Sequence, residues 1–136
     1  MTRIMAAALA AIVWFTQPAA ADPKAVQSVI TEQLTAFRAG DADAAYALAA
    51  PSIKRMFKTP ERFIRMVRKG YAPVYYNRSP VFLRSRAIDA TSYAQEVGLV
   101  DRKGQSWTAL YTLAQQPDGS WRITGCYLRK TDEQAA

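Results

Sequence analysis

The sequence predicts an α+β domain in which N-terminal helices pack on one face of a curved four-stranded antiparallel meander sheet. Two observations predict this fold class. Apolar residues recur at helical spacing between residues 22 and 70, and they alternate with polar residues between residues 81 and 128. A chain of 136 residues has room for one such domain.

The first 21 residues have the layout of a secretory signal peptide. A basic start at Arg3 precedes an apolar run from Ile4 to Phe15, and three alanines lie directly before Asp22. We therefore expect cleavage between Ala21 and Asp22 and a periplasmic or secreted protein; an uncleaved anchor is the alternative. Because the apolar run is too short to cross a bilayer, the protein is not expected to span a membrane.

Capping residues and helix breakers predict three helices, over residues 22–40, 41–51 and 59–70. Each begins at an aspartate or threonine, the residue types that accept hydrogen bonds from the first free backbone N–H groups. Gly40, Pro51 and Gly70 mark their ends. The segment over residues 71–80 contains two prolines and is predicted to be extended linking chain.

The turns "IDATS", "DRKGQ" and "QPDGS" separate four predicted strands. Gly104 and Gly119 lie where a three-residue hairpin loop needs a left-handed residue. If all three loops have this length, odd-numbered side chains face the helices and even-numbered side chains face outwards. The residues that close the loops are Ile88 and Ser92, Asp101 and Gln105, and Gln116 and Ser120.

The segment "AFRAGDADAAYALAAP", followed by a meander that ends in "DGSWRITG", resembles the nuclear-transport-factor-2-like cone fold, which includes ketosteroid isomerase. The segments "APSIKRMF", "FIRMVRKGYAPV" and "DGSWRITGCYL" also resemble a family of short exported bacterial proteins of unknown function. The resemblance implies a cone of the cystatin-like type, with a cavity between the helices and the inner sheet face. The likeness to the short exported family implies a fold and no activity. We predict that the cone covers residues 22–130 and that residues 131–136 form a flexible tail.

A polar row crosses the predicted inner face and is the first candidate for a ligand site. In the predicted register Ser85 pairs with Gln95, Gln95 with Tyr111, and Tyr111 with Gly125. A ligand could satisfy these buried polar groups; alternatively, Gln95 bonds within the protein. The predicted ligand-binding residues, including an aromatic rim, are Ser85, Gln95, Tyr111, Trp107, Trp121, Tyr93 and Tyr127.

Catalytic machinery is not visible in the sequence. The chain has no histidine, and in the predicted register no strand carboxylate points inwards, because Glu96 lies on the outer face opposite Arg84. We therefore predict no catalytic residues, no cofactor and no metal ligands. An exported ligand-binding or accessory protein is the favoured function, and a ketosteroid-isomerase-like enzyme ranks third.

A basic segment supports the second-ranked function, an adaptor that binds an anionic envelope surface or an acidic partner protein. This segment contains seven basic residues and a single acidic residue, Glu61. The alternative interpretation is that its cations only form a solvated side of a helix. Nucleic acid is not expected as a partner of an exported protein. The predicted basic surface consists of Lys54, Arg55, Lys58, Arg62, Arg65, Arg68 and Lys69.

Cys126 is the single cysteine, so it cannot form an internal disulfide. The predicted register places Cys126 on the outer face beside Leu110 and Leu128, where cone folds often pair as homodimers. Three interpretations remain: a buried small apolar residue, a member of a homodimer face formed by Leu110, Cys126 and Leu128, or a reactive thiol.

Overall fold

A computed structural model describes residues 11–12 and 22–131 of the chain. Five helices precede four strands in this part, and the strands form one antiparallel sheet in the order β1-β2-β3-β4. The helices are α1 (Pro23–Arg38), α2 (Ala42–Ala47), α3 (Pro51–Phe57), α4 (Pro60–Gly70) and α5 (Ala72–Tyr75). The strands are β1 (Arg78–Asp89), β2 (Ser92–Val100), β3 (Ser106–Gln115) and β4 (Trp121–Lys130).

The predicted boundaries of the chain fall largely outside these residues. The signal peptide over residues 1–21 is described only at residues 11–12, and the tail only at Thr131, so both assignments stay predictions. Thr131 itself is held by the sheet, because its backbone N–H donates to the Ser106 carbonyl at 3.0 Å. Within the described ranges, no helix is both long and apolar enough to cross a membrane.

Side-chain caps fix the starts of the three predicted helices. The carboxylates of Asp22 and Asp41 and the hydroxyl of Thr59 each accept a hydrogen bond from a backbone N–H in the first turn, at 2.9, 3.1 and 3.2 Å. These contacts satisfy donors that the helix itself leaves free. The predicted starts of α1, α2 and α4 therefore agree with the structure.

Two helices were not predicted. Pro51 was expected to end the second helix, but α2 ends earlier, at Ala47. Pro51 instead begins α3, because proline suits the first helical position, where no backbone donor is needed. The segment predicted as extended linking chain contains the short helix α5, which again has a proline in its first turn. Both additions thicken the helical layer that covers the sheet.

The core lies between α1 and the inner face of the sheet. Val26, Ile30, Leu34 and Phe37 recur along one side of α1, and each is at most 2% exposed. They belong to one apolar cluster with buried residues of the sheet, which include Tyr93, Val97, Leu99, Leu113 and Ile123. Burial of this stripe holds the helical layer against the sheet.

The predicted register is correct between β2 and β3 along the whole ladder, including the pair of Gln95 with Tyr111. Between β1 and β2 it is correct from Ser85 opposite Gln95 to Ala87 opposite Tyr93, and it shifts before Ser85 and after Ala87. A bulge changes the face of the first half of β1, so that Val81 and Leu83, expected in the core, are 56% and 48% exposed. Phe82, expected outside, packs against the core.

A second bulge lies between β3 and β4. The predicted pairs hold as far as Leu113 opposite Ile123, but Thr112 then pairs with Gly125 and Tyr111 pairs with Cys126. The predicted pair of Tyr111 with Gly125 is therefore wrong by one residue. A Cβ atom added at Gly125 would lie 3.1 Å from the Thr112 hydroxyl oxygen, a tight contact that a glycine beside the bulge avoids. Beyond it, every side chain of β4 changes face.

Candidate ligand cavity

A cavity of about 280 Å³ lies between the helical layer and the sheet, beside the bulge in β4. Helices α3 and α4 and the inner sheet face supply most of its wall, which is predominantly apolar. Met56 of α3 belongs to the wall and is 71% exposed, so the cavity reaches the surface at this helix. The wall consists of Gln33, Phe37, Ile53, Met56, Phe57, Phe63, Met66, Val67, Tyr71, Val74, Tyr111, Ile123, Thr124, Gly125 and Cys126.

The Tyr111 hydroxyl is the unusual polar group of this wall. Tyr111 is 1% exposed, and within the described part of the chain its hydroxyl is the one buried side-chain polar atom without a hydrogen-bond partner. Burial raises the pKa of Tyr111 well above its usual value, so the group stays a neutral hydroxyl. The Cys126 thiol adds to the rise in this pKa, although no hydrogen bond of good geometry joins the two groups.

Cys126 faces the cavity beside Tyr111 and is half-buried. Burial raises the pKa of its thiol to about 12, from an ordinary value of 9.0. Because the thiolate is the strong nucleophile, this rise in pKa favours the neutral thiol at neutral pH. This inner position removes Cys126 from the predicted outer dimer face; the interpretations as a small buried residue and as a reactive thiol stay predictions.

Two other polar wall residues have hydrogen-bond partners within the protein, whereas Tyr71 is a half-buried wall residue whose hydroxyl forms none in the described part of the chain. Gln33 donates from Nε2 to the Ala45 carbonyl at 3.2 Å, and the Thr124 hydroxyl donates to the Thr112 hydroxyl at 2.9 Å. None of the described wall residues is an aspartate or a glutamate. The cavity therefore offers a ligand one fully buried free hydrogen-bond donor, the Tyr111 hydroxyl, in a mostly apolar surround.

Tyr111 is the one member of the predicted ligand-binding set that lines the cavity. Gln95 is fully buried but bonded within the protein: it accepts from Gln27 at 3.3 Å and donates to the carbonyls of Leu83, Arg84 and Glu96 at 3.4, 3.3 and 2.9 Å. Gln95 thus ties the β1 bulge to the sheet. This is the internal role that the sequence left open as an alternative.

The predicted aromatic rim is not assembled. Tyr93 and Trp121 pack edge-to-face in the core, with ring centroids 6.3 Å apart. Trp107 donates from its indole nitrogen to the Asp101 carboxylate at 2.9 Å, which lowers the pKa of that carboxyl. Tyr127 is 69% exposed, because the β4 bulge turns it outwards.

Two further placements from the predicted register need correction. Ser85 is exposed on β1 and lines a shallow depression rather than the cavity. Of the predicted dimer face, Leu110 lies outside, but Cys126 and Leu128 pack against the core on the inner side. Tyr127 takes the position opposite Leu110. The same one-residue bulge explains both errors on β4.

The wall residues on α3 and α4 were not recognised from the sequence as parts of a site. Ile53, Met56 and Phe57 recur at helical spacing after Pro51, and this spacing was the signal available for them. Recognition failed because Pro51 was taken only as the end of a helix. Glycine inside a strand was the corresponding signal for the bulge at Gly125.

The basic residues lie on the outer surface of the same two helices. Arg55, Arg62, Arg65, Arg68 and Lys69 are exposed, and Lys58 at the end of α3 is exposed as well. Lys54 differs, because it is half-buried and donates to the Ala47 carbonyl at 3.3 Å. Within the described residues, the one ion pair is that of Arg84 with Glu96 on the sheet, at 3.1 Å, as the sequence predicted.

The fold is that of a cystatin-like α+β domain, and a mostly apolar cavity lies between its helices and its sheet. The chain belongs to the family described as "Domain of unknown function (DUF4864)", whose model matches residues 19–136. No curated protein matches the chain. The prediction of a family of unknown function with a cone-shaped, cystatin-like fold is thereby confirmed.

Solved structures show the same fold. A domain of unknown function with a cystatin-like fold from Nostoc punctiforme superposes with a TM-score of 0.59 at 13% identity, over 84% of this chain and 80% of that chain. A protein from Catenulispora acidiphila, solved in complex with S-DNPA, gives a TM-score of 0.51 at 12% identity, over 79% of this chain and 91% of that chain. At these identities the likeness is one of fold.

Proposed function

We propose that this protein binds a small, mostly apolar molecule in the cavity between α3, α4 and the sheet, and that it does so without catalysing a reaction. The observation that carries this proposal is the Tyr111 hydroxyl, which is buried in the cavity wall without a partner. A buried hydroxyl without a hydrogen bond costs free energy, and folded proteins contain few such groups. A ligand atom that accepts from Tyr111 removes this cost.

The wall chemistry defines the class of ligand. Side chains of phenylalanine, methionine, isoleucine and valine make up most of the surface, which favours an apolar body. The raised pKa of Tyr111 keeps its hydroxyl protonated, so it is available as a donor to a ligand acceptor. A cavity of about 280 Å³ is small for a ligand site. We therefore propose a compact molecule with one carbonyl or ether oxygen.

The same residues support the proposed lack of catalysis. General acid–base chemistry needs a titratable group whose pKa lies near the working pH, and nucleophilic chemistry needs an activated nucleophile. Tyr111 and Cys126 both face the cavity, but burial moves both pKa values away from neutrality. The described wall contains no carboxylate that could act as a base.

A matched pair of probes tests the proposal. Acetophenone and ethylbenzene have similar shapes, but only the ketone carries an acceptor for the Tyr111 hydroxyl. We expect calorimetric titration to show that the wild-type protein binds both probes. Tyr111→Phe should lower the affinity for acetophenone by about 5- to 30-fold, which is the equivalent of one buried hydrogen bond. Ethylbenzene binding should stay within about twofold.

Two results would count against the proposal. If neither probe binds the folded protein, the cavity is not a site for compact apolar molecules. If Tyr111→Phe changes the affinity for both probes equally, the hydroxyl does not recognise the acceptor, and the effect comes from packing. Tyr46→Phe is the control, since its hydroxyl donates to the Lys54 carbonyl at 2.7 Å and is not among the wall residues.

A further inference from the structure

The outer surface of α3 and α4 carries a dense set of cations that the cavity does not use. Seven basic residues fall between residues 51 and 70, and Glu61 is the single acid among them. Six of the seven are exposed, namely Arg55, Lys58, Arg62, Arg65, Arg68 and Lys69; we call them the basic helical surface. Within the described residues, none of them forms an ion pair. Their charge is therefore available to a partner.

This surface also contains the opening of the apolar cavity. Met56 on α3 is 71% exposed and lines the cavity, and Met66 of α4 is a wall residue as well. Arg62 and Lys69 lie four residues before and three residues after Met66, so both flank it on the helix surface. Apolar side chains and cations thus occur together around one opening.

We propose that the basic helical surface binds an anionic phospholipid bilayer, with the opening of the cavity turned towards the lipid. Cations near a membrane surface are attracted by anionic headgroups, and exposed apolar side chains beside them enter the interface. An acidic protein would match the cations but would leave Met56 and the apolar opening without a counterpart. This inference does not depend on whether the cavity binds a ligand, because it rests on the exposed cations and on the exposed Met56 beside them.

The orientation has a functional consequence for the cavity. A protein bound in this way exposes the opening to apolar molecules dissolved in the bilayer. The ligand would then exchange between lipid and cavity without crossing water, where an apolar molecule is poorly soluble. The strand face of the sheet would remain on the side away from the membrane.

Vesicle co-sedimentation tests the docking. We expect the wild-type protein to bind vesicles of phosphatidylcholine containing phosphatidylglycerol, not pure phosphatidylcholine, and to dissociate as salt is raised. Reversing Arg62, Arg65 and Lys69 to glutamate should weaken binding at least about tenfold. The matched control reverses Arg78, Arg86 and Arg129, which are exposed on the strands, and so changes net charge equally. Its binding should stay within about twofold of wild type.

Fluorescence tests the orientation. Tryptophan emission shifts to the blue when the indole leaves water for the membrane interface, where its amphipathic ring is favoured. On addition of the anionic vesicles, Met56→Trp should show this shift, and Tyr127→Trp should not. The two sites are comparably exposed, at 71% and 69%, but Tyr127 lies on the outer face of the sheet.

Three outcomes would overturn the docking. The first is absence of wild-type binding to the anionic vesicles at low salt. The second is an equal loss of vesicle binding in the helix and strand triple variants, which would show that binding depends on net charge and not on the basic helical surface. The third is binding of soluble polyglutamate as tightly as vesicles with no shift for Met56→Trp, which would indicate an acidic protein partner. Circular dichroism of each variant checks that the fold is intact.

Discussion

Tyr111→Phe is expected to raise the free energy of unfolding of the unliganded protein by about 1–2 kcal/mol. Most substitutions at a buried position destabilise a protein, so the sign of this effect is informative. The expected gain arises because the hydroxyl is buried without a partner, whereas in the unfolded chain it bonds to water. Phenylalanine keeps the ring packed and removes the unsatisfied group.

Urea unfolding measures this change as a higher midpoint at an unchanged slope. Tyr46→Phe provides the opposite case, since the Tyr46 hydroxyl donates to the Lys54 carbonyl at 2.7 Å. Its loss should lower the free energy of unfolding by about 1 kcal/mol. If Tyr111→Phe destabilises the protein as much as Tyr46→Phe does, the Tyr111 hydroxyl has a partner within the fold. The cavity would then lack the buried free donor on which the proposed function rests.

Gln95→Leu is expected to lower the free energy of unfolding by about 2–3 kcal/mol. Gln95 is fully buried and donates to three backbone carbonyls, two of them at the β1 bulge, while it accepts from Gln27. Leucine fits a similar volume but leaves these groups without a partner. The same variant should bind acetophenone normally, because Gln95 does not line the cavity.

Gln33→Leu is the matched comparison for this second variant. Gln33 is also buried, but its side chain forms a single hydrogen bond, to the Ala45 carbonyl. Gln33→Leu should therefore lower the free energy of unfolding by only about 1 kcal/mol. Denaturant unfolding and probe titration together separate the two roles of Gln95. A Gln95→Leu protein that is as stable as wild type but no longer binds acetophenone would restore Gln95 as a ligand residue.

The sequence was sufficient where local chemistry decides the structure. Asp22, Asp41 and Thr59 cap their helices through short-range contacts that residue type and position indicate directly. Gly104 and Gly119 have φ values of 81° and 87°, as their predicted hairpin loops require. The loop at Gly104 fixes the whole register between β2 and β3, which was therefore predicted correctly.

The sequence was insufficient where an extra residue enters a strand. A bulge changes the face of every following side chain, and alternation alone does not locate it. In β4 this error exchanged the predicted faces of Cys126 and Tyr127. In β1 it exchanged the predicted faces of Val81 and Phe82. Gly125 was a local signal of the bulge in β4. The tight contact that a Cβ atom at this position would make with the Thr112 hydroxyl depends on the neighbouring strand β3, so it could not be foreseen from the sequence.

The candidate site was predicted only at Tyr111. The parity of β3 was correct, so its inward direction was correct too. The rest of the cavity depends on how α3 and α4 cross the sheet, and a tertiary arrangement of this kind cannot be obtained from periodicity along one element. The basic residues were recognised as a set, but their position around the opening of the cavity became visible only with the packing of both helices.

Native mass spectrometry of the protein purified from its own source, as wild type and as Tyr111→Phe, tests the central claim most directly. We predict that the wild-type protein retains a small non-covalent ligand with an oxygen acceptor, and that Tyr111→Phe retains much less of it. A wild-type protein without ligand, or equal retention by both proteins, would contradict a ligand site that depends on the Tyr111 hydroxyl.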